Sequence, residues 1–191
     1  RFLADESFVD FSEEAEPTLL VEELLDENPH MIVVKSISKS YGIPGLRLGV
    51  AASGDTDLIG QLKKDVAIWN INSFGEFYMQ IEEKYRKDYD SALDKLRGER
   101  TRFAEKLSNL PGVRVFPSQA NYLMMELTGK SISATEITEL LLTRYNLFIK
   151  DLSSKISRNG RQFLRIAIRN EAEDNILVKA LKEILAQCSK Q

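Results

Sequence analysis

The sequence predicts an α/β fold in which a short sheet precedes a compact α+β domain. An apolar, β-branched run occupies residues 31–34, and leucines with helical spacing occupy residues 19–25 before it. A long stripe of apolar residues with helical spacing begins at residue 74. A strand, a helix and a second strand in succession are typical of a layered α/β fold with parallel strands.

Three short strands are predicted in the front part of the chain. The first ends at Asp5, and the second is the run at residues 31–34, which is typical of a strand buried on both faces. The third covers residues 46–52 and follows a turn rich in glycine. Because the chain begins abruptly inside the first strand, we expect it to be a fragment of a longer protein, with residues 1–75 forming part of a larger domain.

The rest of the chain is expected to form a long linking helix and a small domain, residues 76–191. The helix is predicted from the apolar stripe and should end before Pro111. Asn170, with Glu173 three residues later, resembles a capping box at the start of the last helix. The predicted elements beyond the long helix are strands at 113–116, 121–127, 147–150 and 163–168, and helices at 134–145 and 171–187.

Composition argues against several classes of partner. The net charge is -3 and the basic residues are scattered, so nucleic acid is not an expected partner. No apolar run approaches the roughly 20 residues of a membrane helix. The single cysteine, Cys188, fits a reducing cytoplasm, and the presence of only one His and one Cys argues against a transition-metal site. We therefore expect a cytoplasmic protein without a metal.

Residues 36–49, with the sequence SISKSYGIPGLRLG, carry the most chemical information. Lys39 follows the buried strand, and partial burial there would lower the pKa of its amine and make it nucleophilic. The hydroxyls of Ser36 and Ser38 and the guanidinium of Arg47 together suit a phosphate dianion. The alternative interpretation of the lysine alone is an ordinary surface residue in a Ser/Gly loop.

The whole segment closely resembles the cofactor-lysine segment of class I/II aminotransferases, which use pyridoxal 5'-phosphate (PLP). The resemblance implies that Lys39 is the catalytic residue, bound to the cofactor as a Schiff base and moving protons. It also implies that Ser36, Ser38 and Arg47 bind the cofactor phosphate.

A second motif, Asp-Glu-Ser-Phe, begins at Asp5, where the first predicted strand ends. Taken alone it would be a solvated turn. Placed before the lysine segment, it resembles the Asp-Glu-Ala-Tyr/Phe motif of histidinol-phosphate aminotransferases and threonine-phosphate decarboxylases. The resemblance implies that Asp5 keeps the pyridine nitrogen of the cofactor protonated. Phe8 stands where the family often has Tyr, so a hydroxyl contact to the cofactor cannot form here.

Two further cations are implicated in substrate binding. Arg165 lies in a Leu-Arg-Ile setting, and the resemblance implies that it binds the substrate carboxylate through two hydrogen bonds. The alternative is a half-exposed strand residue, and Arg169 is interpreted as solvent-facing or capping. Lys150 stands where enzymes with phosphorylated substrates tend to have Arg, and Lys is a looser, point-charge substitute for the substrate phosphate.

The expected function is that of a PLP-dependent aminotransferase, which moves an amino group from an amino acid to a 2-oxo acid, in a homodimer. One alternative is decarboxylation of threonine phosphate or a similar amino acid, because the same cofactor apparatus serves both reactions. The motif at Asp5 favours this alternative and Lys150 argues against it. The alternative of another class is an inactive folded fragment or interaction module, since the front half of the fold would be missing.

Overall fold

A computed structural model describes residues 1–14, 18–129, 131–156 and 159–188. The chain divides into two compact units, Arg1–Asp94 and Lys95–Gln191. The predicted α/β class is confirmed, and the boundary expected near residue 75 remains a prediction.

The strands are β1 (Phe2–Asp5), β2 (Met31–Ser36), β3 (Gly49–Ala52), β4 (Val113–Phe116), β5 (Tyr122–Leu127), β6 (Lys150–Asp151) and β7 (Gln162–Ala167). The α-helices are α1 (Glu22–Glu27), α2 (Thr56–Asp65), α3 (Ser73–Ile81), α4 (Arg86–Ser108), α5 (Ala134–Tyr145) and α6 (Glu171–Cys188).

The first unit contains a three-stranded sheet in the order β1-β2-β3. Strands β1 and β2 are parallel, as the sequence predicts, with Asp5 opposite Val34. Strand β3 runs antiparallel to β2, with Ser36 opposite Gly49. The connection at residues 37–48 contains no α-helix, and a parallel return needs a longer crossover. The carboxyl ends of β1 and β2 therefore lie at one edge of the sheet, where Asp5 and the lysine loop follow.

Strand β3 begins three residues later than predicted. Arg47 has a left-handed backbone with φ 58° and ends a short 3-10 turn, Pro44–Leu46. A residue in this conformation cannot continue a strand ladder. A Cβ placed on Gly49 would lie 3.1 Å from the carbonyl oxygen of Lys35, so glycine permits the close approach of β3 to β2.

The single long helix expected from the apolar stripe is interrupted in the structure. Helix α3 is followed by the 3-10 turn Glu82–Tyr85 and then by α4. Steps of four residues drift by about 40° around an α-helix, so such a stripe soon leaves any one face. Phe77 and Tyr85 are accordingly 60% and 55% exposed, whereas Leu93 is buried. Only the later part of the apolar stripe is therefore buried in a core.

The second unit is built on an antiparallel sheet in the order β4-β5-β7-β6. Of the strand predicted at residues 147–150, only Lys150 lies in a ladder, because β6 covers Lys150–Asp151 alone. One face of the sheet is buried together with residues of α4, α5 and α6. This core includes Phe103, Leu107, Leu123, Met125, Ile137, Leu141, Leu164, Ile166, Leu181 and Ile184.

The capping box expected at Asn170 is only half formed. The Asn170 side chain accepts a hydrogen bond from the backbone N–H of Glu173 at 3.0 Å. The Glu173 carboxylate accepts instead from Arg169 Nε at 2.7 Å, because this exposed cation competes for it. Arg169 is therefore the solvent-facing, helix-start residue that the sequence predicts.

Asp174, in the first turn of α6, is a buried carboxyl group that the sequence does not reveal. It is 2% exposed, and its Oδ1 accepts from the backbone N–H of Arg169 at 3.2 Å. Burial, followed by hydrogen bonding to Glu99, raises the pKa of Asp174 to about 7. Hydrogen bonding from Arg102 holds the pKa of Glu99 below its ordinary value. Of the two carboxyl groups, Asp174 is therefore the one that keeps its proton to higher pH.

We expect Asp174→Asn to stabilise the chain at alkaline pH. The folded pKa of Asp174 exceeds its ordinary value of 3.8, so its contribution to stability is lost as pH rises through about 7. An amide in its place donates to Glu99 without titrating, which should raise the free energy of unfolding at pH 8 by about 1–2 kcal/mol. Urea unfolding at pH 5 should show a smaller gain, because the folded carboxyl group is still protonated there and only the unfolded one has ionised. Glu139→Gln, on the exposed side of α5, is the control, and equal effects of Asp174→Asn at both pH values would contradict the raised pKa of Asp174.

Candidate active site

A chain of hydrogen bonds joins the ends of the two parallel strands. The Asp5 carboxylate accepts from the backbone N–H of Ser7 at 2.9 Å and from its hydroxyl at 2.6 Å. The same hydroxyl accepts from the backbone N–H of Ser36 at 3.1 Å. These bonds from Ser7 hold the pKa of Asp5 below its ordinary value, and the charge of Lys39 adds to the effect. Asp5 is therefore an exposed, ionised carboxylate fixed beside the end of β2.

Lys39 lies in the loop directly after β2 with its side chain exposed, so the partial burial expected from the sequence is wrong. Its Nζ is 4.9 Å from the centroid of the Phe8 ring, a cation–π contact. Turn hydrogen bonds shape the loop, including Gly42 N–H to the Lys39 carbonyl at 3.2 Å and Ile43 N–H to the Ser38 carbonyl at 3.1 Å. The amine is thus held near Asp5 in a tightly turned loop and remains open to a ligand.

The three residues expected to bind a phosphate lie around this loop. Ser38 is buried at 6% exposure, and Ser36 is half-buried at the end of β2. Arg47 is exposed, and its guanidinium donates to the Pro44 carbonyl at 3.2 Å. The left-handed backbone of Arg47 is a strained conformation of the kind that accumulates at ligand sites. The assignment of these residues to a phosphate stays a prediction.

Two supporting contacts around the loop were not expected from the sequence. The buried Glu6 accepts from the Thr18 hydroxyl at 2.7 Å and from the backbone N–H of Leu19 at 2.5 Å. Lys35 Nζ donates to the Asp10 carboxylate at 2.5 Å, with both side chains about 15% exposed. The only sequence signal for either is a charged residue beside an apolar strand or turn, which is too common to be specific.

In the second unit, Arg165 and Lys150 lie directly opposite each other on neighbouring antiparallel strands. Both are exposed, and the Arg165 guanidinium lies 5.2 Å from the centroid of the Tyr122 ring. Like charges in this position repel each other across the ladder. Among the described residues, neither makes an ion pair with a carboxylate. Two neighbouring cations on one sheet face suit an anionic ligand.

Other arginines of this sheet face are already neutralised. Arg161 donates to the two carboxylate oxygens of Glu126 at 2.6 and 2.8 Å, and Arg114 lies 3.9 Å from the same carboxylate. The hydrogen bond from Arg161 holds the pKa of the buried Glu126 below its ordinary value. The contrast separates structural cations from the pair formed by Arg165 and Lys150.

The described residues show no cluster of three His, Cys, Asp or Glu side chains that could hold a metal ion. Among the same residues, no helix has the length and apolar character needed to cross a membrane.

A lysine loop after one strand, with an ionised aspartate at the end of its parallel neighbour, defines the class of fold-type I PLP-dependent transferases. The chain belongs to the aminotransferase class I and II family, whose family model matches residues 1–181. Enzymes of this family depend on PLP, as the sequence predicts. The matching proteins include a threonine-phosphate decarboxylase and a histidinol-phosphate aminotransferase. These are the two groups of enzymes whose motif the segment at Asp5 resembles.

Several relatives resemble nearly the whole chain. The CMP-5'-(3-aminopropyl)phosphonate synthase of Streptomyces rubellomurinus is 38% identical over 95% of this chain, which spans 28% of that protein. The L-serine phosphate decarboxylase of Sulfurospirillum multivorans is 37% identical over 97% of this chain, which spans 47% of that enzyme. A solved structure of a decarboxylase from Sulfurospirillum multivorans has a TM-score of 0.83 and 36% identity, and covers 97% of this chain and 52% of its own. The chain therefore spans about half or less of the length of these relatives.

Proposed function

We propose that the protein carrying this chain is a PLP-dependent decarboxylase of a small O-phosphorylated amino acid, of the serine phosphate class. The observation that supports a phosphorylated amino acid most is the cross-strand pair of Arg165 and Lys150, which has no carboxylate partner among the described residues. This alignment outweighs the sequence argument that Lys150, standing in place of Arg, speaks against such a substrate. The similarity to a serine phosphate decarboxylase favours decarboxylation over the amino transfer expected first. Assembly as a homodimer and a cytoplasmic location remain predictions.

The residues of the first unit fit the cofactor. An exposed amine at Lys39 suits covalent attachment of the cofactor aldehyde, and the ionised Asp5 suits a protonated pyridine nitrogen. Ser36, Ser38 and Arg47 supply hydroxyl and guanidinium donors for the phosphate. When bound, PLP supplies an electron sink for the bond that breaks at the substrate α-carbon. Lys39 then holds or delivers the proton that the reaction requires.

The residues of the second unit fit a substrate with two acidic groups. The planar guanidinium of Arg165 suits a carboxylate, to which it can donate two parallel hydrogen bonds. Lys150 supplies a compact charge for a phosphate, which accepts hydrogen bonds from many directions. A ligand with two anionic groups would remove the repulsion between the two cations, whereas an amino acid without a phosphate would leave Lys150 uncompensated.

The test is product analysis with the whole protein, PLP and O-phospho-L-serine. We expect carbon dioxide and the phosphorylated amine, because the relatives that resemble the chain over nearly its whole length favour loss of the carboxylate. With an added 2-oxo acid as acceptor, its conversion to the corresponding amino acid, with release of the phosphorylated oxo acid and no carbon dioxide, would instead establish amino transfer and overturn the proposal.

Removing the charge of Lys150 tests the phosphate assignment. We expect Lys150→Gln to raise KM for O-phosphoserine about 10- to 100-fold, since hydrogen bonds to charged groups contribute roughly 1.5–3 kcal/mol. The turnover of serine itself should not change. Lys182→Gln, on the exposed side of α6, is the matched control. An equal loss with phosphorylated and unphosphorylated substrates would place the role of Lys150 elsewhere.

A further inference from the structure

The guanidinium of Arg165 lies between two neighbours on one face of the second unit's sheet. Lys150 lies opposite Arg165 on β6, and the Tyr122 ring extends from β5 on the other side of β7, with its centroid 5.2 Å from the guanidinium carbon. The ammonium of Lys150 repels the guanidinium, whereas the face of an aromatic ring attracts a cation. Both interactions favour an Arg165 side chain that is directed toward β5.

The register of β5 and β7 brings the Tyr122 ring within reach of Arg165. Met124 lies directly opposite Arg165, and Tyr122 lies opposite Ala167, two residues further along β7 on the same face. Tyr122 is therefore a diagonal neighbour of Arg165, at a distance that aromatic and long side chains can bridge. Because Ala167 carries only a methyl group, the space beside Arg165 on that diagonal is left to the ring.

Hydrogen bonds fix the backbone from which the Tyr122 ring extends. The Ser118 hydroxyl donates to the Tyr122 carbonyl at 2.6 Å and accepts from the backbone N–H of Ala120 at 3.1 Å. The Ala120 carbonyl in turn accepts at 3.2 Å from the guanidinium of Arg100, which is 3% exposed. Hydrogen bonds from a charged donor are stronger than those between neutral groups. The start of β5 is therefore anchored, and the ring begins from a defined position.

Two other arginines of this sheet face also lie near a ring but have a second partner. Arg161 and Arg114 are 4.9 and 4.7 Å from the centroids of neighbouring phenylalanine rings. Both also approach the Glu126 carboxylate, which holds their charge in place. Within the described part of the chain Arg165 makes no such ion pair, so its orientation depends more strongly on the Tyr122 ring.

We propose that Tyr122 is a positioning residue for Arg165. Its ring holds the guanidinium on the β5 side, away from Lys150, and so keeps two separate cationic points on the sheet face. The planar N–H donors of Arg165 then stay aligned for a carboxylate while Lys150 stays free for a phosphate. The inference rests on the proposed function, in which these two cations bind those two groups.

Two variants of Tyr122 separate the ring from the rest of the side chain, because Tyr122→Leu removes the ring and Tyr122→Phe keeps it. The first readout is the ¹⁵N relaxation of the Arg165 Nε–Hε group in the chain without a ligand. We expect an ordered group in the wild type and in Tyr122→Phe, and a mobile group in Tyr122→Leu. Phe116→Leu is the matched control, because it removes the ring near Arg114 on β4 and should leave the Arg165 signal unchanged. An Arg165 group that is equally ordered in Tyr122→Leu and the wild type would overturn the positioning role.

The second readout compares two ligands of the whole protein loaded with PLP. We expect Tyr122→Leu to raise KM for O-phospho-L-serine by about two- to fivefold, the range of one exposed cation–π contact. Inhibition by O-phosphoethanolamine should not change, because this ligand has the phosphate and lacks the carboxylate. Tyr122→Phe should restore the wild-type KM.

The pattern of the two readouts distinguishes the possible failures. Equal weakening of both ligands in Tyr122→Leu would indicate a general structural effect and overturn the positioning role. A mobile Arg165 group with an unchanged KM would confirm that Tyr122 positions Arg165, but would contradict the proposed function's assignment of Arg165 to the carboxylate.

Discussion

Replacing Lys39 with Ala should abolish both covalent attachment of PLP and turnover. The amine is the group we assign to attachment and to proton transfer. Loss of proton transfer alone commonly costs about 10²- to 10⁴-fold in rate. Borohydride reduction of the wild-type protein with PLP, followed by peptide mapping, should label Lys39, and the Lys39→Ala protein should lose that label.

The specificity of this result needs a second lysine as control. Lys64, at the exposed end of α2, should give a variant, Lys64→Ala, with normal labelling and turnover. Label on another lysine in the wild-type protein, with Lys39 unmodified, would show that the assignment is wrong. The far-ultraviolet circular dichroism of Lys39→Ala should match the wild type, because the Lys39 side chain is exposed and makes no ion pair within the part of the chain that the structure describes.

The elements predicted correctly from the sequence are those with a strong local signal. Helices α5 and α6 and strands β4, β5 and β7 agree with the predicted ranges to within one residue. Helix α2 was missed, although Asp55 caps it by accepting from the backbone N–H of Leu58 at 2.9 Å. An Asp before a polar segment is a common pattern, and α2 contains no buried residue that would add periodicity.

The direction of β3 and the break before α4 depend on contacts that are distant in sequence. Strand β3 could be predicted as a strand from its composition, but its antiparallel pairing follows from the conformation of the loop, including the left-handed Arg47. Apolar spacing also could not show that Phe77 and Tyr85 are exposed. Such features are set by tertiary packing rather than by local preference.

The residues of the candidate site also differ in whether a local sequence motif reveals them. Lys39, Asp5 and Arg165 were found because each lies in a contiguous motif that resembles a family segment. Lys35 and Asp10 lie in segments far apart in sequence, so no local pattern could predict their pairing. The repulsive alignment of Lys150 and Arg165 likewise required the register of β6 and β7.

Asp5→Asn should leave the fold and the attachment of PLP intact while reducing turnover severely. An Asn oxygen can accept the same two hydrogen bonds from Ser7, so the end of β1 should keep its structure. What disappears is the negative charge, which the bonds from Ser7 and the charge of Lys39 stabilise in the wild type. Asp26→Asn, on the exposed side of α1, is the control that makes the same chemical change away from the site.

The size of the loss follows from what that charge does for the cofactor. Without a carboxylate beside it, the pyridine nitrogen loses its proton more easily, and the ring accepts electrons from the breaking bond less well. Losing one preorganised electrostatic group commonly raises a barrier by about 3–4 kcal/mol, which corresponds to roughly 10²- to 10³-fold in kcat. Borohydride labelling of Lys39 should remain normal in the same variant, because attachment requires the amine and not the ring charge. Near-normal kcat in Asp5→Asn would mean that another residue holds the ring nitrogen, whereas loss of labelling together with kcat would mean that Asp5 acts on the lysine loop instead.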